Sequence, residues 1–339
     1  MSQLSWNQWF QQTVGGAITS EGKLKGLWSQ GPEKNKQIIT LLTDEDVLTI
    51  SGKDAIKFLQ GQSTCDVEKL TQGEAVTGSC CTPKGRMIAN FRLIKADQEL
   101  LYLTLPRGQA ENLRSGLSKY APFYKVDLSS QNSWIRIGLQ TDDASIDHLR
   151  TDFLAGLAGF QPFTVAIDEQ RAEVWLQEEE FVKLPEQFIT QYNVVSTDVW
   201  RLDELRRGIA WVQPMQTEKW LPQECNQELI GGVSFKKGCY TGQEIVARLH
   251  YRGQTKKRLQ YFSFITETEE HQQIIDQKIV NAENKPCGFV VNAICNPQSR
   301  QMHLLANVRL DLSEQPLFLE SNLKKTLQHH SLPYTIDNG

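Results

Sequence analysis

The residues best suited to chemistry are gathered around Cys239, in a short stretch rich in glycine, lysine and threonine. The stretch reads Gly231-Gly232-Val233-Ser234-Phe235-Lys236-Lys237-Gly238-Cys239-Tyr240-Thr241-Gly242-Gln243-Glu244. Thr241 and Glu244 have the spacing of a capping box, in which each side chain bonds the other's backbone amide. We therefore expect a short buried strand, a basic turn and then a helix that begins at about Gly242.

This position favours a lowered pKa for the Cys239 thiol. Its sulfur would lie near the positive end of the helix dipole, with Lys236 and Lys237 close behind in sequence, and both influences favour the thiolate. Gly238 and Gly242 on either side permit close backbone approach by a ligand. The alternative is a capped helix whose preceding turn contains an ordinary half-buried cysteine.

Two further groups could bind a ligand. Trp200, on a helix that Asp198 could cap and Gly208 could end, could stack on a heterocycle or simply fill the core. Clustered basic side chains could hold phosphate or a polyglutamate tail, or could form a solvated helix end. They are Arg248, His250, Arg252, Lys256, Lys257 and Arg258. Tyr251 is the one aromatic residue among them, so a dedicated single-strand stacking platform is not expected.

Other familiar chemistries find little support. The six histidines are scattered, and none lies in a recognisable nucleophile context. Cys239 and His250 are separated mostly by helix, so a catalytic dyad is not expected. The seven cysteines contain no CxxC pair, which fits a reducing cytoplasm and offers no ready-made metal or iron–sulfur site.

The composition is that of a cytoplasmic globular protein. Forty per cent of the 339 residues are hydrophobic and 22 per cent are charged. The net charge of −4 argues against a nucleic-acid coat protein, and direct tRNA binding is not expected. No apolar run is long enough to cross a membrane, and the first residues lack a basic segment followed by an apolar run, so a secretory signal is not expected.

Strands and helices interleave without a regular βαβ alternation, which indicates an α+β fold. Residues 38–42 and 47–51 are predicted to form a hairpin across a short acidic turn, and another hairpin is predicted around residues 83–85. After Gly253 the pattern becomes almost entirely strands. The predicted organisation is an N-terminal segment (1–35), an α+β body (36–254) and a small C-terminal β-barrel (255–335).

The central motif resembles that of the YgfZ family of bacterial folate-binding proteins, which are linked to tRNA modification and to the upkeep of iron–sulfur enzymes. Supporting segments follow the family's order along nearly the whole chain. They are residues 58–62 with Asp66, residues 84–87 with Asn90 and Arg92, residues 229–233, and the closing residues 332–334. The resemblance implies an aminomethyltransferase-like architecture: a body of two interlocked ferredoxin-like subdomains, a C-terminal β-barrel and a central folate pocket.

The resemblance also implies roles for particular residues. Trp200 matches a folate-contacting tryptophan, and Cys239 matches the signature cysteine, expected here as a redox-active or cluster-contacting thiolate. A tryptophan near the N-terminus is also associated with the folate site. Trp28 is the nearest candidate, whereas the matching position itself holds Glu45.

One departure concerns catalysis. Where the glycine-cleavage aminomethyltransferases carry a paired-Asp motif with the catalytic carboxylate, this chain has Ala89-Asn90. A neutral amide cannot accept charge as a carboxylate does. We therefore expect binding of a tetrahydrofolate derivative without aminomethyl transfer, in support of iron–sulfur enzymes that include tRNA-modifying enzymes. The alternative is a folate-dependent one-carbon transferase acting on tRNA or a small amine.

Overall fold

The computed structural model describes residues 5–20, 22–27, 37–130, 133–143, 145–267, 271–312 and 315–336. Within these ranges the α-helices are α1 Trp6–Val14, α2 Ala55–Gln60, α3 Gln109–Ser118, α4 Asp147–Ala155, α5 Glu178–Phe181, α6 Glu186–Thr190, α7 Thr197–Arg206 and α8 Gln243–Arg252. The strands are β1 Ala17–Ile18, β2 Leu24–Lys25, β3 Gln37–Leu41, β4 Glu45–Ser51, β5 Ala75–Cys81, β6 Met87–Asp97, β7 Leu100–Pro106, β8 Asp127–Ser129, β9 Trp134–Thr141, β10 Phe163–Asp168, β11 Arg171–Gln177, β12 Lys257–Ile265, β13 Lys278–Asn281, β14 Pro286–Asn296, β15 Gln301–Arg309, β16 Leu317–Leu319, β17 Asn322–Thr326 and β18 Gln328–His330.

The first large sheet is antiparallel, with strand order β10-β11-β9-β3. Helices α1, α4 and α5 cover one of its faces and bury Phe10, Phe153 and Phe181 in a common core. Helix α1 is amphipathic, and Ser5 forms a capping box with Gln8 at its start. Full burial of such a ring contributes about 1.5–3 kcal/mol, which attaches this short helix to the sheet.

The second large sheet has the order β5-β6-β7-β4-β8 and buries Phe58 of α2 in its own core. Val47 and Tyr102 of this sheet pack against Val165 and Trp175 of the first sheet. The two sheets therefore share a packed junction, and residues from both contribute to the centre of the molecule.

The chain crosses between these sheets immediately after β3. Leu41 of β3 pairs with Ile137 of β9, whereas Glu45 of β4 pairs with Pro106 of β7. The predicted hairpin between these two strands is therefore wrong. Ile39 and Leu41 of β3 are buried in the first core, whereas Leu48 and Ile50 of β4 are buried in the second. Burial of apolar surface in two different cores therefore favours separate sheets for the two strands.

The predicted hairpin around residues 83–85 is confirmed, because β5 and β6 pair on either side of that turn. Gly85 has a φ of 74°, a left-handed conformation that glycine adopts without the penalty a Cβ imposes.

The C-terminal part forms a seven-stranded sheet, β17-β16-β13-β14-β15-β12-β18, that curls into a half-barrel. Leu202 and Leu205 of α7 pack against Tyr261 and Leu305 of this sheet. Helix α7 thus joins the half-barrel to the α+β body. None of the described helices is long and apolar enough to span a membrane.

Candidate functional site

The motif around Cys239 folds differently from the sequence prediction before it reaches α8. Residues 231–242 form turns, so the predicted buried strand is wrong. The predicted capping box between Thr241 and Glu244 is also wrong. The Thr241 hydroxyl donates to Oε1 of Gln62 at 3.0 Å, and the N-cap of α8 is Gly242 without a side-chain cap. The start of the helix at this position is confirmed.

Gly242 makes the close approach of two turns possible. Its φ is 85°, and a Cβ at this position would lie 2.5 Å from the carbonyl oxygen of Thr82 and 3.1 Å from Cα of Gly85. A side chain would therefore separate the β5–β6 turn from the start of α8.

Lys237 holds the motif against the end of α2. Its Nζ donates to the carbonyl oxygens of Gln60, Ser63 and Cys65 at 2.7, 2.8 and 2.7 Å. These bonds occupy the ammonium's three donor positions, and burial lowers the pKa of Lys237. Lys237 therefore links the motif around Cys239 to the segment after α2. The sequence resemblance had identified these two segments separately.

Cys239 is exposed, whereas the other six cysteines are buried. Its sulfur can therefore meet a solute or a partner directly. The reactive role expected for it stays a prediction, as do ligand roles for the neighbouring Gly238, Tyr240 and Gln243. Tyr240 is itself mostly buried, and burial is the main cause that raises the pKa of its hydroxyl.

A separate cavity of about 290 Å³ opens between the second sheet, α7 and the half-barrel. Its wall combines charged and apolar residues. The charged residues are Lys23, Asp44, Glu45, Arg107, Arg201 and Glu204. The apolar residues are Pro106, Leu205, Ile209, Trp211, Pro214, Met215, Ile275, Ala293 and Ile294. Neither Cys239 nor Trp200 is among the described residues that line it.

Trp211 is the aromatic side chain in this wall. Its indole Nε1 donates to Oε2 of Glu204 at 2.9 Å, and the guanidinium carbon of Arg92 lies 5.4 Å from the centre of its ring. Only 5% of the residue is exposed. The ring is therefore fixed at the cavity by a charge-assisted hydrogen bond and a cation–π contact.

Two asparagine amides clasp the backbone on either side of that ring. Asn90 donates to the carbonyl of Ala210 at 2.6 Å and accepts from the amide of Val212 at 2.8 Å. Asn292 of the half-barrel accepts from the amide of Trp211 at 2.8 Å and donates to its carbonyl at 2.9 Å. The second sheet and the half-barrel thus meet through the segment that carries Trp211. Sequence reasoning missed this segment, and its one signal was the short apolar run that follows Gly208.

Glu204 lies at the centre of a buried ion-pair network. Its carboxylate oxygens lie 2.7 Å from Arg92 and 2.7 Å from Arg201. Arg201 also lies 2.8 Å from Glu45. Burial alone would raise the pKa of Glu204, but Arg201, Arg92 and Arg171 outweigh it, so that its pKa lies well below the ordinary value. The cavity therefore presents a permanent carboxylate beside an aromatic ring.

Trp200, one of the two tryptophans predicted to contact folate, does not line this cavity. Trp200 is fully buried, and a Cβ on Gly138 would come within 2.9 Å of its ring, so it packs α7 directly on β9. Its role as a folate contact stays a prediction. Trp28 lies outside the described residues. Glu45, the residue at the matching position, lines the cavity.

No site for a metal ion emerges from the described ranges, in which no group of three or more His, Cys, Asp and Glu side chains is suitably arranged. The predicted basic cluster between Arg248 and Arg258 does not line the cavity either. Within it, Arg258 pairs with Glu228 at 2.7 Å and donates to the carbonyl of Gln223, so at least this member has a structural task.

The arrangement of sheets and half-barrel is also found in a solved structure. The glycine cleavage system aminomethyltransferase T of Bartonella henselae superposes with a TM-score of 0.72, over 96% of this chain and 95% of that chain. The sequences are 15% identical, so this similarity concerns the fold alone. The chain has the aminomethyltransferase-like fold that the sequence motifs predicted.

Curated relatives identify the family within that fold. The tRNA-modifying protein YgfZ of Colwellia psychrerythraea is 31% identical over 258 residues, which cover 71% of this chain and 75% of that protein. The tRNA-modifying protein YgfZ of Hamiltonella defensa is 30% identical over 235 residues, 66% of this chain and 69% of that protein. An uncharacterized protein of Haemophilus influenzae is 30% identical over 300 residues, 87% and 97% of the two chains. No protein-family model matches the chain. The chain belongs to the YgfZ family.

Proposed function

We propose that this protein binds a tetrahydrofolate derivative in the central cavity and takes part in tRNA modification by supporting the assembly or repair of iron–sulfur enzymes. The observation that carries the folate assignment is the pairing of Trp211 with Glu204 in the cavity wall. The names of the curated relatives support the link to tRNA modification.

The residues present fit a pterin. The cavity of about 290 Å³ is close to the lower end of the ~300–1,000 Å³ typical of small-molecule sites, which suits the bicyclic head of a folate. Trp211 and the aliphatic wall would hold the flat ring, and Glu204 or Glu45 would accept hydrogen bonds from its amino edge. Arg107, which also lines the cavity, would supply positive charge for the carboxylates of the tail. A bound folate carries a one-carbon unit.

We expect this chain to bind folate without transferring that unit. Asn90 is fully buried, and both ends of its amide are engaged by the backbone of residues 210–212. It can neither accept a proton nor supply a carboxylate where the aminomethyltransferases have one. The competing function, a one-carbon transferase acting on tRNA or a small amine, requires turnover of a methylene- or formyl-folate by the purified protein.

Binding is tested by titrating tetrahydrofolate derivatives while following tryptophan fluorescence. The parent protein should show saturable quenching, and Trp211→Phe should lose most of it while Trp200→Phe retains it. If Trp200→Phe alone removes the signal, the sequence prediction for Trp200 holds and the cavity is the wrong site. Absence of quenching in the parent protein would remove folate from the proposal.

The proposed partners are iron–sulfur enzymes or their assembly proteins, and the exposed Cys239 thiol would contact a cluster or a partner's thiol. Cells carrying Cys239→Ala should lose activity of an iron–sulfur tRNA-modifying enzyme. Cys239→Ser, which preserves size and polarity, should lose it as well. Full activity in both variants would remove this cysteine from the proposed role.

A further inference from the structure

The segment that contains α8 and its flanking residues carries a high concentration of positive charge. Residues 234–258 contain seven Lys and Arg side chains and one Glu, a balance of +6 in a chain whose net charge is −4. Overall acidity therefore conceals a strongly basic segment. A local field of this kind attracts polyanions whatever the sign of the whole molecule.

Three of these cations have structural tasks. Lys237 donates to three carbonyl groups, Arg258 pairs with Glu228, and Lys257 lies 5.9 Å from the ring centre of Phe289. The other four, Lys236, Arg248, Arg252 and Lys256, are exposed. Two carboxylates lie nearby: Glu244 in the first turn of α8, and Asp311, which pairs with Arg309 at 2.5 Å and whose pKa is lowered mainly by that pair and also by Lys256.

Helix stability explains these exposed cations only in part. Arg252 in the last turn suits the negative end of the helix dipole. Arg248 lies four residues after Glu244, a favourable spacing, but also four residues before Arg252, where two like charges destabilise a helix by about 0.2–0.5 kcal/mol. The two opposing effects are of similar size, so helix stability alone does not account for two exposed arginines at this spacing.

Aromatic rings lie among these charges. His250 stacks on Phe235 with ring centres 3.7 Å apart and planes 11° apart, and Tyr251 meets both rings edge-on at 4.8 and 5.9 Å. Tyr251 is 66% exposed. Exposed rings among cations offer what a nucleic-acid strand requires, a surface on which bases stack and charges that contact its phosphates. The sequence analysis counted only Tyr251 as aromatic within the basic cluster. Phe235 lies outside that cluster in sequence, and only the fold brings its ring onto His250.

We propose that this basic aromatic face, formed by Phe235, Lys236, Arg248, His250, Tyr251, Arg252 and Lys256, binds RNA directly. The inference rests on the proposed role in tRNA modification and identifies tRNA as a contacted partner. It reverses the expectation drawn from net charge, because binding depends on the local distribution of charge. Cys239 is three residues from Lys236, so its exposed thiol lies within about 10 Å along the chain of the same face.

The test measures the affinity of the full-length protein for an unmodified tRNA transcript across a series of salt concentrations. The parent protein should bind, with an affinity that falls linearly on a log–log plot as salt rises. The double variant R248E/R252E should bind on the order of tenfold or more weakly, with a salt slope reduced by roughly two. Tyr251→Ala should weaken binding by roughly 5- to 100-fold through lost stacking.

Matched controls separate this face from general electrostatics. K183E/K324E makes the same change in net charge at two exposed lysines outside the face and should leave the affinity within twofold of the parent. Thermal unfolding of each variant shows whether it is folded. Equal losses in both double variants, or no binding by the parent, would overturn the proposal. Binding of an acidic polyglutamate peptide but not tRNA, with the same dependence on Arg248 and Arg252, would assign the face to a protein partner instead.

Different results would overturn the proposed role in tRNA modification and the proposed RNA-binding face. If tRNA modification is lost when the gene is deleted but R248E/R252E binds tRNA normally, the role in modification stands and the RNA-binding face is wrong. If the face binds tRNA as described and deletion leaves modification unchanged, the binding surface stands and the proposed function is wrong.

Discussion

Trp211 donates its indole N–H to Glu204 across 2.9 Å at the wall of the central cavity. The same carboxylate pairs with Arg92 and Arg201, so one buried side chain both orients the aromatic ring and contacts two guanidinium groups. The shape of the cavity and the stability of the fold therefore depend on the same charge.

Replacing Glu204 with Gln should destabilise the protein by about 3–5 kcal/mol, because buried arginines lose their counter-charge. The folded-state pKa of Glu204 lies below its ordinary value of 4.5. Its contribution is therefore complete above pH 4.5 and is lost as pH falls below that value. Urea unfolding at pH 7 and pH 4 should show that the free energy of unfolding falls less on acidification in the variant than in the parent protein. Glu111→Gln, in an exposed pair with Arg114, should behave like the parent.

Asn90→Asp should be destabilising at neutral pH, by about 1–3 kcal/mol or more. The new carboxylate would face the carbonyl of Ala210, which now accepts a hydrogen bond from the amide. Burial should raise the pKa of the introduced acid, so stability should recover as pH falls and the protonated acid donates again. Chemical unfolding at pH 7.5 and pH 5 measures this. The same exchange at exposed Asn284 should show no such recovery, and a pH-independent loss at position 90 would contradict the clasp.

Gly242→Ala should cost at least about 1–2 kcal/mol from its left-handed backbone alone, and more from the contact with Thr82. Gly238→Ala is the matched control within the same motif, since a Cβ there meets no atom within 4 Å. Guanidinium unfolding of the two variants should separate them clearly. Equal stabilities would show that the β5–β6 turn and the start of α8 can move apart at little cost.

His303 should make stability depend on pH in mildly acidic solution. Burial, together with the charge of Arg206 and the neighbouring His330, lowers the pKa of His303 from 6.5 to about 4. The unfolded chain therefore takes up a proton that the folded protein refuses, and stability should fall by on the order of 2–3 kcal/mol as pH drops from 6.5 toward 4. His303→Asn should flatten this part of the stability profile. His148→Asn, at an exposed position on α4, should leave the profile unchanged. An unchanged slope in His303→Asn would assign the effect to other groups.

Local features of the fold could be predicted well from the sequence. The glycine turn before α8, the hairpin around residues 83–85 and the strand-rich C-terminal part depend on neighbouring residues, and the structure has all three. The crossing from β3 to β4 could not be predicted this way, because a short acidic turn between two strands ordinarily makes a hairpin. Only the competing pairs with β9 and β7 redirect it.

The cavity was beyond sequence reasoning for a similar reason. Asn90 meets Ala210 across 120 positions of the chain, and Asn292 meets Trp211 across 81. No local pattern marks such partners. The capping box failed because Gly242 and not Thr241 is the N-cap of α8, and the Thr241 hydroxyl donates to Gln62, which follows α2. Trp200 was predicted to stack on a ligand because its ring is flat. It is instead buried against β9, and tryptophan side chains are highly buried on average.

The burial of every cysteine except Cys239 gives the native protein a natural chemical handle. A maleimide dye added under native conditions should attach in a single equivalent, and unfolding should uncover the remaining six thiols. A fluorophore or photocrosslinker can therefore be attached beside α8 without altering the sequence. A macromolecule that binds at this position would change the emission of the fluorophore or react with the crosslinker.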